Sequence, residues 1–365
     1  MRRFTYLANR QGIADAGVLV IDIPIDEPIT ALWVDLRATN FATGNDDSPM
    51  HLCVQRIDLI DGANVIWGIT GPELLGLTCA QLGFMPHQRF SALPGDPAGM
   101  QLPLMFGRFL GDTEYAFNPK AFTNPQFRIV WNLAAVNAIG ANGFVTLSGT
   151  LSLIAEIMDQ NISPRAMLAA REVFTYTSAV GTQFIDLPRD HTYKALMLRP
   201  VATTSHWWDV ITRVRINLDG GKLVPIDMVG EDLQYMLNMR QPKLEYRESG
   251  HSPGGAQLIC WLKEVESVAL QCEVNAAYTF AYENFEYGQQ QLRTWLASVA
   301  SVNHVNMGVM CQGYAPFHCV YIPFGDGLKP DEWFQASNYG SVRLELTGAI
   351  AARAVSIVAL QEEPY

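Results

Sequence analysis

Apolar and polar side chains alternate with a period of two along much of the chain. In residues 30–37, Leu32, Val34 and Leu36 alternate with positions that include two charged side chains, and the alternation is longest over residues 143–157. A period of two places one set of side chains on a buried face and the other on an exposed face, which is typical of β-strands. Turn residues separate these segments at short intervals, so the pattern predicts about eight short strands in each half of the chain.

A degenerate internal repeat organises this pattern. Residues 56–75, RIDLIDGANVIWGITGPELL, align without a gap with residues 215–234, RINLDGGKLVPIDMVGEDLQ. Each copy predicts a strand, a tight turn containing Asp and Gly, a second strand and the start of a helix. A repeat this long that occurs only twice indicates a duplicated domain, because a solenoid would show several copies of about 20–50 residues.

Helical patterns are few and short. The sequence Gly-Pro-Glu at residues 71–73 predicts a helix with proline in its first turn. Residues 164–171 predict a short helix that connects the two halves. The clearest helical period lies in residues 289–299, where the apolar side chains are Leu292, Trp295, Leu296 and Val299. The remainder of residues 275–319 has little alternation, which predicts loops that decorate the second half.

Together these elements predict an all-β fold, with two tandem eight-stranded jelly-roll β-sandwiches and a few short helices. The expected N-terminal jelly roll spans residues 1–163, and residues 164–171 form a linker. The C-terminal jelly roll spans residues 172–365 and carries the elaborated loops at 275–319. A chain of 365 residues is too long for one ordinary core and suits two domains.

Composition favours a protein that buries surface against partners. Hydrophobic residues make up 49% of the chain and charged residues 17%, which leaves little solvated surface. The formal net charge is -11, so direct nucleic-acid binding is not expected, because a phosphate backbone needs clustered Lys and Arg. The basic residues near the N-terminus are Arg2, Arg3 and Arg10, and a frayed tail explains them at least as well as a binding arm does.

The six cysteines include no C-x-x-C pair, which favours reduced, mostly buried thiols and a reducing compartment. The N-terminal residues lack the apolar core of a secretory signal, and no apolar run reaches the length of a membrane span. We therefore expect a protein that is made and kept in a cytosol, or leaves it by lysis.

The search for catalytic chemistry yields no catalytic, cofactor-binding or metal-binding residue and no cofactor. The seven histidines show no H-x-H or H-E-x-x-H spacing, which argues against a metal site and a duplicated cupin. Glu73 and Asp232 occupy equivalent places in the repeat, which a charge at a helix N-terminus explains better than an active site. Residues 206–208, His-Trp-Trp, could stack on a sugar, although core or interface packing explains these aromatic residues better.

The chain resembles the double jelly-roll major capsid proteins of tailless icosahedral viruses, particularly bacteriophages of the lineage that has an internal membrane. The likeness rests on the duplicated RIDL/RINL strand with its Asp-Gly turn, on the GPELL/GEDLQ helix start, and on the strands that contain Leu102-Pro103 and Ile322-Pro323. The resemblance implies a non-enzymatic structural protein of the virion, synthesised in the host cytoplasm. Three chains would form a homotrimer with a six-lobed outline, and neighbouring capsomers would tile an icosahedral capsid.

Further partners implied by the resemblance are minor capsid or vertex proteins and an internal viral membrane. Two other classes of function stay open from the sequence. One is a carbohydrate-active hydrolase built from two jelly rolls, which would usually be exported. The other is a carbohydrate-binding or host-recognition module, which need not assemble into trimers or shells.

Overall fold

The structure, a computed structural model, describes residues 2–41, 50–86, 88–89, 95–135, 139–140, 143–158, 162–201, 206–252, 262–273, 281–284, 293–296 and 305–365. The described part of the first half contains nine strands: β1 Arg2–Gly12, β2 Ala16–Asp22, β3 Ile29–Thr39, β4 Val54–Asp61, β5 Asn64–Ile69, β6 Gln88–Arg89, β7 Pro97–Met105, β8 Pro125–Asn132 and β9 Thr150–Met158. Helix α1 Gly71–Leu82 follows β5, and short 3-10 helices lie at Met50–Cys53 and Pro119–Ala121.

The second half repeats this order and adds to it. Its strands are β10 Ala166–Thr177, β11 Gly181–Asp186, β12 Thr192–Pro200, β13 Ile211–Leu218, β14 Leu223–Val229, β15 Leu244–Ser252, β16 Leu262–Glu273, β17 Ala281–Asn284, β18 Arg293–Leu296, β19 Val305–Pro316, β20 Val320–Pro323, β21 Phe334–Gln335, β22 Val342–Gly348 and β23 Ala354–Pro364. Helices α2 Trp207–Val210 and α3 Gly230–Asn238 flank β13 and β14, and 3-10 helices lie at Pro330–Glu332 and Ala336–Asn338.

Both halves have the strand order of a jelly roll. In the first half, one sheet has the order β1-β9-β3-β7-β6, and the other four strands pair as β2-β8-β4-β5. In the second half the corresponding orders are β10-β23-β12-β20 and β11-β22-β13-β14. Eight strands divided in this way between two facing sheets form a jelly roll. The predicted all-β fold with two tandem eight-stranded jelly rolls is therefore confirmed.

The two jelly rolls share one continuous sheet. Strand β5 of the first roll lies parallel to β10 of the second, with Gly68 opposite Arg171. The Arg171 side chain also donates from Nε to the carbonyl oxygen of Ile66 at 2.7 Å. This contact joins the two four-strand sets into a single sheet with the path β2-β8-β4-β5-β10-β23-β12-β20.

The sheet of the second roll packs on two cores, one on each of its faces. Leu196, Leu198 and Ile357 point into the core of the second roll. The side chains that alternate with them point the other way and belong to the core cluster of the first roll: Ala195, Met197, Val358 and Leu360. Because both faces are buried, these strands lack the polar alternation of a half-exposed sheet.

The repeated segments adopt the same structure, as predicted. Residues 56–75 form the end of β4, the hairpin to β5 and the start of α1, and residues 215–234 form the end of β13, the hairpin to β14 and the start of α3. The first hairpin turns at Gly62, which has a φ of 58°. The second turns at Asp219, Gly220 and Gly221, which all have positive φ values, a conformation that glycine adopts without steric cost.

The predicted connecting helix over residues 164–171 is wrong, because residues from Ala166 onward form β10. Ala166 to Ala170 are all buried, and β10 pairs with β23 along its whole length. The bounds expected for the two units, 1–163 and 172–365, stay a prediction.

Two predictions for the first half need correction. The strand expected over residues 143–157 begins only at Thr150, since Leu147 has a φ of 57° and is 70% exposed. The N-terminal residues, for which a frayed tail was one explanation, form β1 and pair with β9. Arg2 donates to the carbonyl oxygen of Leu110 at 3.1 Å, and Arg3 donates to Glu27 at 3.0 Å.

The helix predicted over residues 289–299 is wrong where the structure describes it, because Arg293–Leu296 is strand β18, paired with β17. Leu292 and Val299 lie outside the described residues. Within 275–319, which was expected to be mostly loop, the 12-residue strand β19 pairs with both β15 and β16. The resulting sheet is an addition that the first half lacks among its described residues.

Candidate assembly surfaces

Helix α1 of the first roll packs on the outer side of the second roll's sheet. A methyl group placed on Gly76 would overlap with the Cβ and sulfur of Cys319, and its distance to the sulfur of Met197 would be 3.6 Å. The helix therefore needs a residue without a side chain at this point.

Glu73 fixes the N-terminal end of α1 at the same contact. Its carboxylate accepts a hydrogen bond from the backbone N–H of Thr70 at 2.8 Å and another from the hydroxyl of Ser356, in β23. Glu73 is fully buried, and an acid in the first turn complements the helix dipole. The prediction that Glu73 serves a helix N-terminus is confirmed, and the structure adds that it joins the two rolls.

Ion pairs surround this apolar contact. Arg171 pairs with Glu363 at 2.7 Å within the second roll, and Arg56 of the first roll reaches Glu172 of the second at 3.4 Å. At another part of the contact, Arg108 binds Asp112 at 2.7 Å. The nearby Lys194 of the second roll is buried, with its ammonium 5.9 Å from the ring centre of Trp333. Burial lowers the pKa of Lys194 to about 8.

A cavity of about 470 Å³ opens between the rolls beside Glu73. Its lining includes Glu73, Glu172, Arg199 and Ser356. Burial raises the pKa of Glu172, and repulsion from Glu73 raises it further. Glu73 is already held by Thr70 and Ser356, so this carboxylate supports the junction and is not presented freely to a substrate.

The other candidate site residues from the sequence have packing or surface positions in the described part of the chain. Trp207 is fully buried and donates from Nε1 to Gln234 at 2.7 Å, which confirms core packing over sugar stacking for this side chain. Trp208 stacks on the ring of His206, with 4.2 Å between centroids. Asp232, the counterpart of Glu73, is exposed in the first turn of α3.

The chemistry of the described residues is sparse. Among them, no group of three or more His, Cys, Asp or Glu side chains is arranged to hold a metal ion. Cys53, Cys79 and Cys319 are free and buried, and Cys311 is also buried, as predicted. Burial raises the pKa of the Cys53 thiol to about 12, so it stays protonated and unreactive near neutral pH. No helix within the described ranges combines the length and apolar character needed to cross a bilayer.

Among the surfaces that carry large exposed apolar side chains are two that sequence reasoning missed. The first, here called the outer face of the first roll, is formed by Phe4 and Tyr6 of β1, with the half-buried Trp33 of β3 and Ile154 of β9 beside them. Phe4 and Tyr6 are 61% and 58% exposed. The sequence signal for this surface was the alternation of Phe4 and Tyr6 with polar neighbours in β1. The arginines around them were instead explained by a frayed N-terminal tail.

The second surface, here called the helix face of the second roll, lies on α3 and the end of β14. It comprises Val229, Glu231, Asp232, Tyr235 and Met239. Tyr235 is 57% exposed and Met239 is 88% exposed. By contrast, the corresponding helix α1 is buried from Gly71 through Cys79. Large apolar patches left open in one chain are typical of interaction sites.

The fold defines a class of protein, that of the double jelly rolls, and solved structures of this class match the whole chain. The major capsid protein of bacteriophage PM2 covers 100% of this chain and 98% of its own, at 12% identity and a TM-score of 0.56. The STIV major capsid protein covers 100% and 97%, at 10% identity and a TM-score of 0.61. The capsid structure of the virus PBCV-1 covers 99% and 93%, at 11% identity and a TM-score of 0.55.

No protein-family model matches the chain, and no curated protein sequence matches it. The identities to the solved structures are so low that the likeness is one of fold. It extends over both jelly rolls and their order, and it is the likeness that residues 56–75 and 215–234 indicated.

Proposed function

We propose that this protein is a viral major capsid protein, and that three copies form a homotrimer with a six-lobed outline that tiles an icosahedral capsid. The observation that carries the proposal is the double jelly roll, which matches capsid proteins over almost the full length of both chains. A trimer of two-lobed subunits gives a nearly hexagonal tile while obeying cyclic symmetry.

The physical character of the chain supports this role. The rolls are joined by a shared sheet and a buried helix, which makes a rigid two-lobed subunit. Large apolar side chains remain exposed on two faces of that subunit. A structural protein with this role is not an enzyme, and it uses the junction carboxylates for packing.

The wider setting belongs to the same proposal. The protein would be synthesised in the cytoplasm of a bacterial host and reside in the virion of a bacteriophage. Its partners would be further copies of itself, minor capsid or vertex proteins, and an internal viral membrane beneath the shell. The two lobes would correspond to units of residues 1–163 and 172–365, with the added strands within 275–319 decorating the second lobe.

The oligomeric state of the purified full chain tests the proposal. Multi-angle light scattering should give a mass about three times that of one chain, and negative-stain microscopy should show particles with six lobes. A monomer that persists over a wide range of concentrations would contradict the proposed function. Release of sugars from a glycoprotein substrate by the purified chain would instead support a hydrolase.

A further inference from the structure

One face of helix α1 lies against the second roll. A methyl group placed on Gly76 would overlap with Cys319. A Cβ on Gly83, the residue that caps the helix, would lie 3.0 Å from Pro242. Residues three or four positions apart share a helix face. Cys79 is three residues after Gly76 and four before Gly83, so it lies on the face that meets the second roll.

Cys79 is directed toward the position of Gly76. In an α-helix each bond from Cα to Cβ tilts toward the N-terminus, so a side chain covers the turn that precedes its own residue. The turn before Cys79 contains Gly76, which has no side chain to occupy that space. Cys319 of the second roll fills it instead. Two cysteines, one from each roll, therefore converge over the same glycine.

Both cysteines are free and buried in this contact. Burial raises the pKa of Cys79, and the neighbouring thiolate of Cys319 raises it further, because two negative charges this close repel each other. Burial also raises the pKa of Cys319 to about 12. Near neutral pH both groups are therefore protonated thiols, which react slowly because the thiolate is the nucleophile.

Cys53 shows what a buried cysteine without such a neighbour looks like. Its sulfur lies 3.9 Å from the carbonyl oxygen of Leu133, within the core of the first roll. Its raised pKa is caused by burial, with no contribution from another cysteine. Cys53 is thus a reference for the pair at the junction, since it shares their burial and lacks their proximity.

We propose that Cys79 and Cys319 form a redox latch, a disulfide that joins the two rolls when the protein meets a peroxide. Local opening of the junction admits so small an oxidant. The peroxide oxidises one thiol to a sulfenic acid and releases water, and the second thiol then attacks that sulfur and displaces a second water. Two thiols and one hydrogen peroxide thus give one disulfide and two molecules of water.

The latch would bind the rolls together covalently. The bridge closes a loop that contains strands β6 to β19, and a cross-link restricts the unfolded chain more strongly when its loop is long. In a reducing cytosol the chain folds with both thiols intact. The chemistry depends only on the junction, whereas its timing, after a virion leaves the host, rests on the proposed function.

Oxidation of the purified full chain tests the latch. The reduced chain is incubated with hydrogen peroxide, its remaining thiols are alkylated in urea, and a digest is analysed by mass spectrometry. We expect linked peptides that contain Cys79 and Cys319. Incubation of the oxidised sample with dithiothreitol should lower its thermal midpoint by about 5 °C. This comparison excludes methionine oxidation, which the reagent does not reverse.

Three variants assign the bridge. Cys79→Ala and Cys319→Ala should each lack the linked peptides and show no change in midpoint with dithiothreitol. Cys53→Ala is the matched control and should retain both, because it removes a buried thiol outside the junction. Each variant is compared with its own reduced form, so lost packing does not enter the comparison. The digest of the wild type decides the question even if a variant fails to fold.

Several results would overturn the latch. These are two thiols that remain free for alkylation, a sulfinic acid in place of the bridge, a bridge to another cysteine or between two chains, and linked peptides without a change in midpoint. Light scattering of the same samples reports the oligomeric state separately. A monomeric chain that still forms the bridge would contradict the proposed function and support the latch.

Discussion

Lys194 is a buried cation at the contact between the rolls. Its pKa in the folded chain is about 8, against an ordinary value of 10.5, because burial disfavours the charged form. Between these two pH values the unfolded chain binds more protons than the folded one, so stability rises with pH across that window. Below about pH 8 both states are protonated, and the full cost of burying the charge remains.

Lys194→Met should therefore raise the free energy of unfolding near pH 7, by roughly 3 kcal/mol at most. The gain should shrink as the pH rises toward 10, because the lysine of the wild type then becomes neutral in the folded chain. Urea unfolding at pH 7 and pH 9.5 measures both values. A gain that is equal at the two pH values would show that it comes from packing and not from the charge.

Gly76 provides a second test of the contact. Replacing glycine by alanine within a helix normally stabilises it by about 1 kcal/mol. Here the added methyl group would overlap with Cys319, so Gly76→Ala should instead destabilise the chain by about 1–3 kcal/mol. In a double-mutant cycle, Cys319→Gly should recover part of that loss, since it removes the overlapping atoms. Stabilisation by Gly76→Ala alone would mean that the helix does not approach the second roll this closely.

At the scale of elements, the added sheet is tied to the second roll by a titratable pair. Nδ1 of His206, which precedes α2, lies 3.2 Å from a carboxylate oxygen of Glu264 in β16. The hydrogen bond to Glu264 raises the pKa of His206 above 6.5. A raised pKa contributes stability that is fully present below pH 6.5 and is lost as the pH rises through the folded value.

Glu264→Gln should accordingly lower the stability at pH 6 more than at pH 8.5. Thermal unfolding of the wild type and the variant at the two pH values measures the difference. Glu245→Gln is the matched control, because Glu245 lies in the same sheet, is only partly buried, and pairs with Arg247 and not with a histidine. A loss that does not depend on pH, or an equal loss in the control, would rule out the proton-linked contact.

Much of the fold could be predicted from elements whose local pattern agrees with their environment. The end of β4, the hairpin and α1 have alternating apolar residues, a glycine at Gly62 where φ is positive, and Pro72 in the first helical turn. The equivalent signals in β13, β14 and α3 made the duplication visible. Each of these features acts over only a few residues, so the sequence alone displays it.

The missed elements are those whose structure depends on distant contacts. The segment Ala-Met-Leu-Ala-Ala at residues 166–170 has high helix propensity and no alternation, yet it forms a strand because it is buried between the rolls. Strand β1 is polar because it lies at a sheet edge. The exposure of Phe4 and Tyr235 could not be predicted either, because only the folded structure shows that these two apolar side chains reach the surface.

At the scale of the whole molecule, the two rolls depend on each other for their cores. Side chains from the second roll, including Met197, Val358 and Leu360, complete the core cluster of the first. Strands β5 and β10 share a sheet, and Glu73 of one roll accepts a hydrogen bond from Ser356 of the other. Loss of either roll would therefore expose apolar surface on the one that remains.

This dependence predicts that the chain unfolds in one cooperative transition, although chains with two domains commonly unfold in steps. Differential scanning calorimetry of the full chain should show a single peak, and Gly76→Ala should shift that whole peak to lower temperature without splitting it. Separately expressed rolls should be poorly soluble, because Ala195 and Met197 would face water. Two resolved transitions, only one of which responds to Gly76→Ala, would contradict this prediction. They would show that each roll is stable alone and that the two rolls fold independently before they form the junction.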